Sequence, residues 1–129
     1  MAQSFDPKKY AVLVVDDDAL VRAEAVDLCI EAGFATYEAK NAKQAIRCLE
    51  RHLEIRVLFT DVEMPGSMDG LKLAHAVRNR WPPVTIMVTS GRVKVTKDKM
   101  PENGLFFEKP YPPAKIIRTL NAIAAEIRN

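Results

Sequence analysis

The chain has 129 residues, of which 48% are hydrophobic and 28% charged, and a formal net charge of +2. That is the size and composition of one domain able to bury its own core, and near-neutral charge gives no electrostatic case for nucleic acid. No apolar run approaches the ~20 residues of a membrane-spanning helix, and the N-terminal MAQSFDPKKY lacks the apolar segment of a secretory signal, so a cytoplasmic location is expected.

Residues 1–9 are polar, contain Pro7 and are expected to form a flexible arm ahead of one domain over residues 10–129. Ala11 to Val15 is continuously apolar, as a strand covered on both faces of a parallel sheet must be. It runs into Asp16, Asp17 and Asp18. Asp18, or the residue before it, caps a helix predicted over Ala19 to Ala32. Val21, Ala25, Leu28 and Ala32 are spaced as its core stripe, with Ala23, Val26 and Ile30 as a weaker second one. Gly33 ends it as a C′ glycine. Phe34 to Ala39 alternates more and predicts a less buried second strand. Asn41 caps a helix over Ala42 to His52 with Ala45, Ile46 and Leu49 inward. Ile55 and Val57 to Thr60 lead through the third strand into Asp61.

Met64-Pro65-Gly66 and Asp69-Gly70 are turn signals. Asp69 caps a third helix over Leu71 to Trp81, with Leu71, Leu73, Ala74 and Val77 as core candidates and Trp81 at the end remote from the carboxylates. Pro82-Pro83 forces the turn into a fourth strand, Val84 to Thr89. Gly91 to Gly104 is irregular. Val93, Val95 and Thr96 are β-branched, Pro101 would break a helix, and few apolar residues recur at helical spacing, so a helix here is expected to be missing or reduced to one turn. Leu105 to Glu108 is the fifth strand, followed by Lys109-Pro110 and a last helix over Ala114 to Ile127. That helix carries Ile116, Ile117, Leu120, Ile123, Ala124 and Ile127.

Alternating β and α elements imply a parallel sheet with helices on both faces. Ligands bind such sheets at the carboxyl ends of the strands. Strands one and three laid side by side bring Asp16, Asp17 and Asp61 to that edge. Three carboxylates in one cleft repel each other, and a hard divalent cation relieves the repulsion: Mg²⁺, for which Mn²⁺ could substitute. One carboxylate oxygen stays free to attack phosphorus. Taken singly, Asp18 and Asp69 read as helix caps and Lys109 as a surface lysine. Clustered unpaired carboxylates at strand ends have no structural use. Cys29 and Cys48 fall in helices without a CxxC and read as reduced thiols. His52 and His75 match no metal spacing and read as surface residues, and the run Lys94 to Lys99 reads as a solvated loop.

Asp16-Asp17, Asp61, Met64-Pro65 with Met68-Asp69-Gly70, Thr89 and Lys109-Pro110 occur in one order and spacing. In this the chain, from about Tyr10 to its C-terminus, resembles the receiver domain of two-component response regulators in its CheY-like, single-domain form. The resemblance implies a flavodoxin-like α/β fold with five parallel strands in the order 2-1-3-4-5. It implies that Asp61 is the phosphoacceptor, and that Asp17, Asp61 and the backbone carbonyl of Glu63 ligate Mg²⁺, with Asp16 acting through water. Lys109 and Thr89 contact the phosphoryl group, with Ser90 as the alternative hydroxyl, and Thr89 with Phe106 forms the switch. The lysine–proline bond is often cis in the family. Phe106 stands where a Tyr is usual, so its inward state would rest on packing alone.

The implied partners are a sensor histidine kinase or histidine phosphotransfer protein, docking on the first helix, and a downstream protein target; neither nucleic acid nor membrane is implied. The only catalysis implied is the chain's own phosphorylation and dephosphorylation. The Met64 to Met68 loop is one residue longer than usual. The missing fourth helix is the clearest departure and puts the usual output face in doubt. Since the chain stops after the last helix, output through a partner, or a shuttle role, is expected. Two other classes remain. One is a vestigial receiver acting as a phosphorylation-independent interaction module. The other is an aspartyl-phosphate phosphatase, for which Asp61-Val62-Glu63 supplies two carboxylates but no cap domain. An FMN carrier would want a glycine-rich phosphate loop where the three aspartates stand.

Overall fold

The computed structural model of the chain describes residues 10–64 and 68–128. The arm expected over 1–9 and the Pro65-Gly66 part of the long loop lie outside the described residues. The strands are β1 (Ala11–Val15), β2 (Ala35–Ala39), β3 (Ile55–Asp61), β4 (Thr85–Ser90) and β5 (Leu105–Glu108), and the helices α1 (Ala19–Glu31), α2 (Ala42–Arg51), α3 (Gly70–Arg80) and α4 (Pro113–Arg128). All strands pair in parallel, in the order β2-β1-β3-β4-β5.

The continuous apolar strands are explained by burial on both faces. Leu13, Leu58 and Ile86 point to the α2–α3 side, where they meet Leu49, Leu73 and Val77. Val12, Val14, Phe59 and Met87 point to the other side and meet Ala25, Cys29, Ile116 and Leu120. Each such apolar side chain, fully buried, contributes about 1.5–3 kcal/mol. β2, at the sheet edge, buries only Ala39, in keeping with its alternating sequence.

The caps are as the sequence predicts. Asp18 accepts the amides of Leu20 and Val21 at 2.9 and 3.1 Å. Asn41 accepts that of Gln44 and Asp69 that of Lys72, each at 2.9 Å. Gly33 has φ 94°, and the amides of Gly33 and Phe34 return to Ile30 and Cys29, a Schellman closure that a left-handed glycine permits.

The core face of α1 is narrower than its periodicity predicts. Only Ala25 and Cys29 are buried, while Val21, Leu28 and Ala32 are half-buried. In the second stripe Ala23 and Ile30 are exposed. Two small residues let α1 pack closely against the sheet and α4, which turns the bulkier Leu28 aside. Leu20 is 71% exposed and Ile30 56%.

Between β4 and β5 the one helical element is a 3₁₀ turn, Lys97–Lys99, so the fourth helix of the usual pattern is missing as expected. Val95, Met100 and Phe106 still pack on the α2–α3 core. His75 Nε2 lies 2.7 Å from the Lys99 carbonyl, and Arg78 Nε donates to that of Glu102 at 3.0 Å, so α3 holds this segment by its backbone. Among the described residues no helix is long and apolar enough to cross a membrane.

Candidate functional site

Register brings the sequence-predicted residues together. Val15 pairs with Thr60, so Asp16 follows β1 where Asp61 ends β3. Asp61 pairs with Thr89, and Ser90 with Glu108, which puts Lys109 one step beyond. The ladder continues past the strands: the Val62 amide donates to Thr89 O and the Lys109 amide to Ser90 O, both at 2.9 Å. The Lys109–Pro110 bond is cis.

Carboxylate oxygens of Asp16, Asp17 and Asp61 lie within 4.8 Å of one another. Asp16 and Asp61 are each 6% exposed, whereas Asp17 faces solvent. Lys109 Nζ stands 3.4 Å from Asp61 Oδ1 and 3.5 Å from Asp16 Oδ2. Asp16 Oδ1 accepts the Asp18 amide at 2.9 Å. Asp61 Oδ1 is buried and has no hydrogen-bond partner, a costly state for an anionic oxygen unless something meets it there. Burial pushes the Asp61 carboxyl above its ordinary value; the Lys109 cation pulls it down and the Asp16 charge pushes it up again. Thr89, 3% exposed, lines with Asp16, Asp61, Lys109 and Tyr111 a cavity of about 10 Å³, room for about one water. Burial, then the charge of Asp16, pushes the Tyr111 phenol up to about 12, so it stays neutral.

A larger groove of about 570 Å³ opens between α1 and the turn into α4. Val21, Leu28, Pro110 and Tyr111 give it an apolar floor, Glu24 and Asp27 line it as well, and Lys109 joins it to the carboxylate site. Phe106 is half-buried on the opposite flank, beside a groove of about 600 Å³ lined also by Val95, Met100 and Pro101.

Several contacts escape the sequence reading. Arg22, at the end of the first turn of α1, donates from Nη1 to the Asp16 carbonyl at 2.8 Å, and its Nε lies 3.0 Å from Glu38 of β2. Gly70 sits so close to the Asp61 carbonyl that any Cβ would collide with it; the sequence marks it only as a turn glycine. The Glu63 side chain accepts the amides of Arg92 and Val93. Against desolvation, which raises it, these amides hold its carboxyl below the ordinary value. Trp81 caps the far end of α3 with Arg80 stacked 4.3 Å from its ring, away from the site as expected. Cys29 is buried, Cys48 half-buried, and both are free thiols.

A family model described as the response regulator receiver domain matches residues 12–121. Protein PetR of Rhodobacter capsulatus is 29% identical over 119 residues, covering 90% of this chain and 49% of its own length. A protein-glutamate methylesterase/protein-glutamine glutaminase of Archaeoglobus fulgidus is 37% identical over 82 residues, 61% of this chain and 22% of its own length. The chain thus spans about half or less of these curated relatives. A crystal structure of a response regulator receiver protein from Sinorhizobium medicae superposes with a TM-score of 0.83 at 22% identity, over 93% of this chain and 97% of that one, a likeness of fold.

Proposed function

Because the chain belongs to the response regulator receiver domain family, we propose that it is the phosphoacceptor of a two-component histidine–aspartate phosphorelay. Asp61 takes a phosphoryl group from a phosphohistidine on a sensor histidine kinase or histidine phosphotransfer protein. The observation that carries this reading is Asp61 Oδ1: buried, without a hydrogen bond, 3.4 Å from a lysine ammonium and beside two further carboxylates.

Phosphoryl transfer needs positioning and charge neutralisation more than covalent help. An Asp61 carboxylate oxygen attacks phosphorus in line. The new P–O bond forms as the P–N bond breaks, and the departing imidazole nitrogen leaves with its electron pair and is protonated. Lys109 offers a compact cation to a phosphoryl oxygen, and the Thr89 hydroxyl donates to another. The oxygens of Asp16, Asp17 and Asp61, an all-carboxylate set whose buried Asp61 Oδ1 is ion-paired with Lys109 but makes no hydrogen bond, would fit Mg²⁺ or Mn²⁺, with the Glu63 carbonyl as a further ligand. When bound, the ion neutralises charge on the phosphoryl oxygens. The groove between α1 and the Lys109–Pro113 turn suits the phosphohistidine-bearing partner, since Val21, Leu28, Pro110 and Tyr111 line it and Lys109 links it to Asp61. Phe106 is the second half of the switch, turning inward on packing alone; its ring unmoved between free and beryllofluoride-bound structures would dispose of that part.

The test is intact mass after incubation with acetyl phosphate and Mg²⁺, beside Asp61→Asn and an EDTA control. One phosphoryl group gained by the wild type and lost in both controls is the expected result. No gain, repeated with a phosphohistidine donor, would make the chain a phosphorylation-independent interaction module.

A further inference from the structure

One side chain joins two loops at the carboxyl edge of the sheet. Glu63 stands two residues past Asp61, and its Oε1 alone receives the Arg92 amide at 2.6 Å and the Val93 amide at 3.0 Å. The Ser90 hydroxyl lies 3.2 Å from that oxygen and 2.5 Å from the Val93 carbonyl. A hydroxyl has one hydrogen, so it serves one acceptor at a time, and the shorter contact marks the Val93 carbonyl. Successive amides converging on one anionic oxygen form a small nest, and charge-assisted bonds of this kind are the strong ones.

The segment that leaves this nest packs Val95 and Met100 on the core but makes few hydrogen bonds of its own. Residues 91–104 contain no helix beyond the 3₁₀ turn Lys97–Lys99, so few internal hydrogen bonds order them. The tail of the segment is tied to α3 through the carbonyls of Lys99 and Glu102. Its head is tied through Glu63. That tie spans the two places where phosphorylation acts: Glu63 lies two residues after Asp61, and Ser90 directly after Thr89. The Val62 amide already binds Thr89 O at 2.9 Å. Any movement of Thr89 toward a group on Asp61 therefore shifts residues 90–93 against the Glu63 carboxylate.

We infer that Glu63 is the latch of segment 91–104: its carboxylate holds the head of that segment in the unphosphorylated protein, and loading Asp61 opens the latch, so this segment rather than a fourth helix is the surface that changes. The inference rests on Asp61 being the phosphoacceptor. Glu63 acts here as a positioning residue, through the backbone of Arg92 and Val93.

Residue-resolved amide hydrogen exchange by NMR tests it, on wild type, Glu63→Ala and Glu63→Gln, each with and without Mg²⁺ and beryllofluoride, with bound fluoride monitored by ¹⁹F NMR. In the free wild type the Arg92 and Val93 amides are protected, and loading speeds their exchange by about tenfold or more, the scale expected when a charge-assisted bond is lost. In Glu63→Ala both amides exchange fast whether or not the protein is loaded. Glu63→Gln, which keeps an acceptor oxygen, regains part of the protection and of the response. Equal exchange in free wild type and free Glu63→Ala overturns the latch. Unchanged wild-type exchange with fluoride bound overturns the coupling. Absence of bound fluoride overturns the phosphoacceptor reading and the coupling with it, while the free-state comparison still decides whether the latch exists.

Discussion

Replacing Lys109 with Met keeps the length of the side chain and removes its charge from the centre of the site. Nζ lies 3.4 Å from Asp61 Oδ1 and 3.5 Å from Asp16 Oδ2, and both carboxyl groups are almost fully buried. At an effective dielectric constant of about 20, each contact is worth about 5 kcal/mol of Coulomb attraction. The lysine side chain is 25% exposed, and fixing the ammonium costs desolvation and rotamer freedom. The net loss expected on removing the charge is therefore about 2–4 kcal/mol in urea unfolding at neutral pH without Mg²⁺. Burial already raises the Asp61 carboxyl and Lys109 is the main influence lowering it, so the variant pushes that carboxyl further up. A carboxyl raised in the folded state binds its proton more tightly there than in the unfolded chain. Its contribution is fully favourable below the ordinary carboxylate range and is lost as pH rises through the folded value. The deficit of Lys109→Met against wild type should accordingly shrink as the pH is lowered from about 7 to about 5. Saturating Mg²⁺ at neutral pH should shrink it too, since a divalent cation supplies the missing charge. A deficit of the same size at both pH values and indifferent to Mg²⁺ would mean that the stem of Lys109 stabilises by packing, and the electrostatic reasoning would fall.

Gly70→Ala forces a Cβ onto the Asp61 carbonyl and should cost about 3 kcal/mol in urea unfolding and slow phosphorylation by acetyl phosphate; wild-type behaviour in both would mean that the loop yields freely. Arg22→Ala removes the donor to the Asp16 carbonyl. It should weaken Mg²⁺ binding about tenfold by calorimetry while costing only about 1 kcal/mol of stability, and an unaltered affinity would rule out a positioning role. Burial pushes the Cys29 thiol up to about 12. Near pH 8 a small thiol reagent should therefore label half-buried Cys48 in the native protein and Cys29 only after unfolding, a picture that equal labelling rates would contradict.

The parts of this molecule that the sequence discloses are those governed by local chemistry or by alternation along a strand. Ala11 to Val15 and Val57 to Thr60 read as continuous apolar runs because helices cover both faces of the sheet. Asp18, Asn41 and Asp69 announce helix starts because a short carboxylate or amide is what free amides need. Pro101 and the β-branched residues before it forecast the lost helix. The carboxylates, Thr89 and Lys109 come together because each ends a strand of a known order or stands just past one. What stays hidden depends on contacts between distant elements. Cys29 lies inward on α1 because of how closely that helix meets the sheet and α4, which periodicity does not encode. The Arg22–Glu38 pair spans 16 residues and exists only once β2 lies beside β1. His75 reads as a bare surface residue because its partner is the Lys99 carbonyl, and backbone acceptors carry no residue signature.

The same division explains how one segment can be rebuilt without loss of the site. Asp16, Asp61, Thr89 and Lys109 are set by strand ends whose ladder bonds run on to the Ala39, Thr89 and Ser90 carbonyls. Their spacing is thus a property of the sheet, among the stiffest parts of a domain. Residues 91–104 leave the sheet at Ser90 and return at Leu105, and are otherwise held by side chains from the β3–α3 loop and from α3: Glu63, His75 and Arg78. A helix there supplies its own hydrogen bonds; an irregular segment must borrow partners. Replacing the helix therefore leaves the carboxylate geometry intact while moving control of the segment onto a few named side chains. That confines the rebuilt part of the molecule to segment 91–104 and leaves the carboxylate site to the sheet.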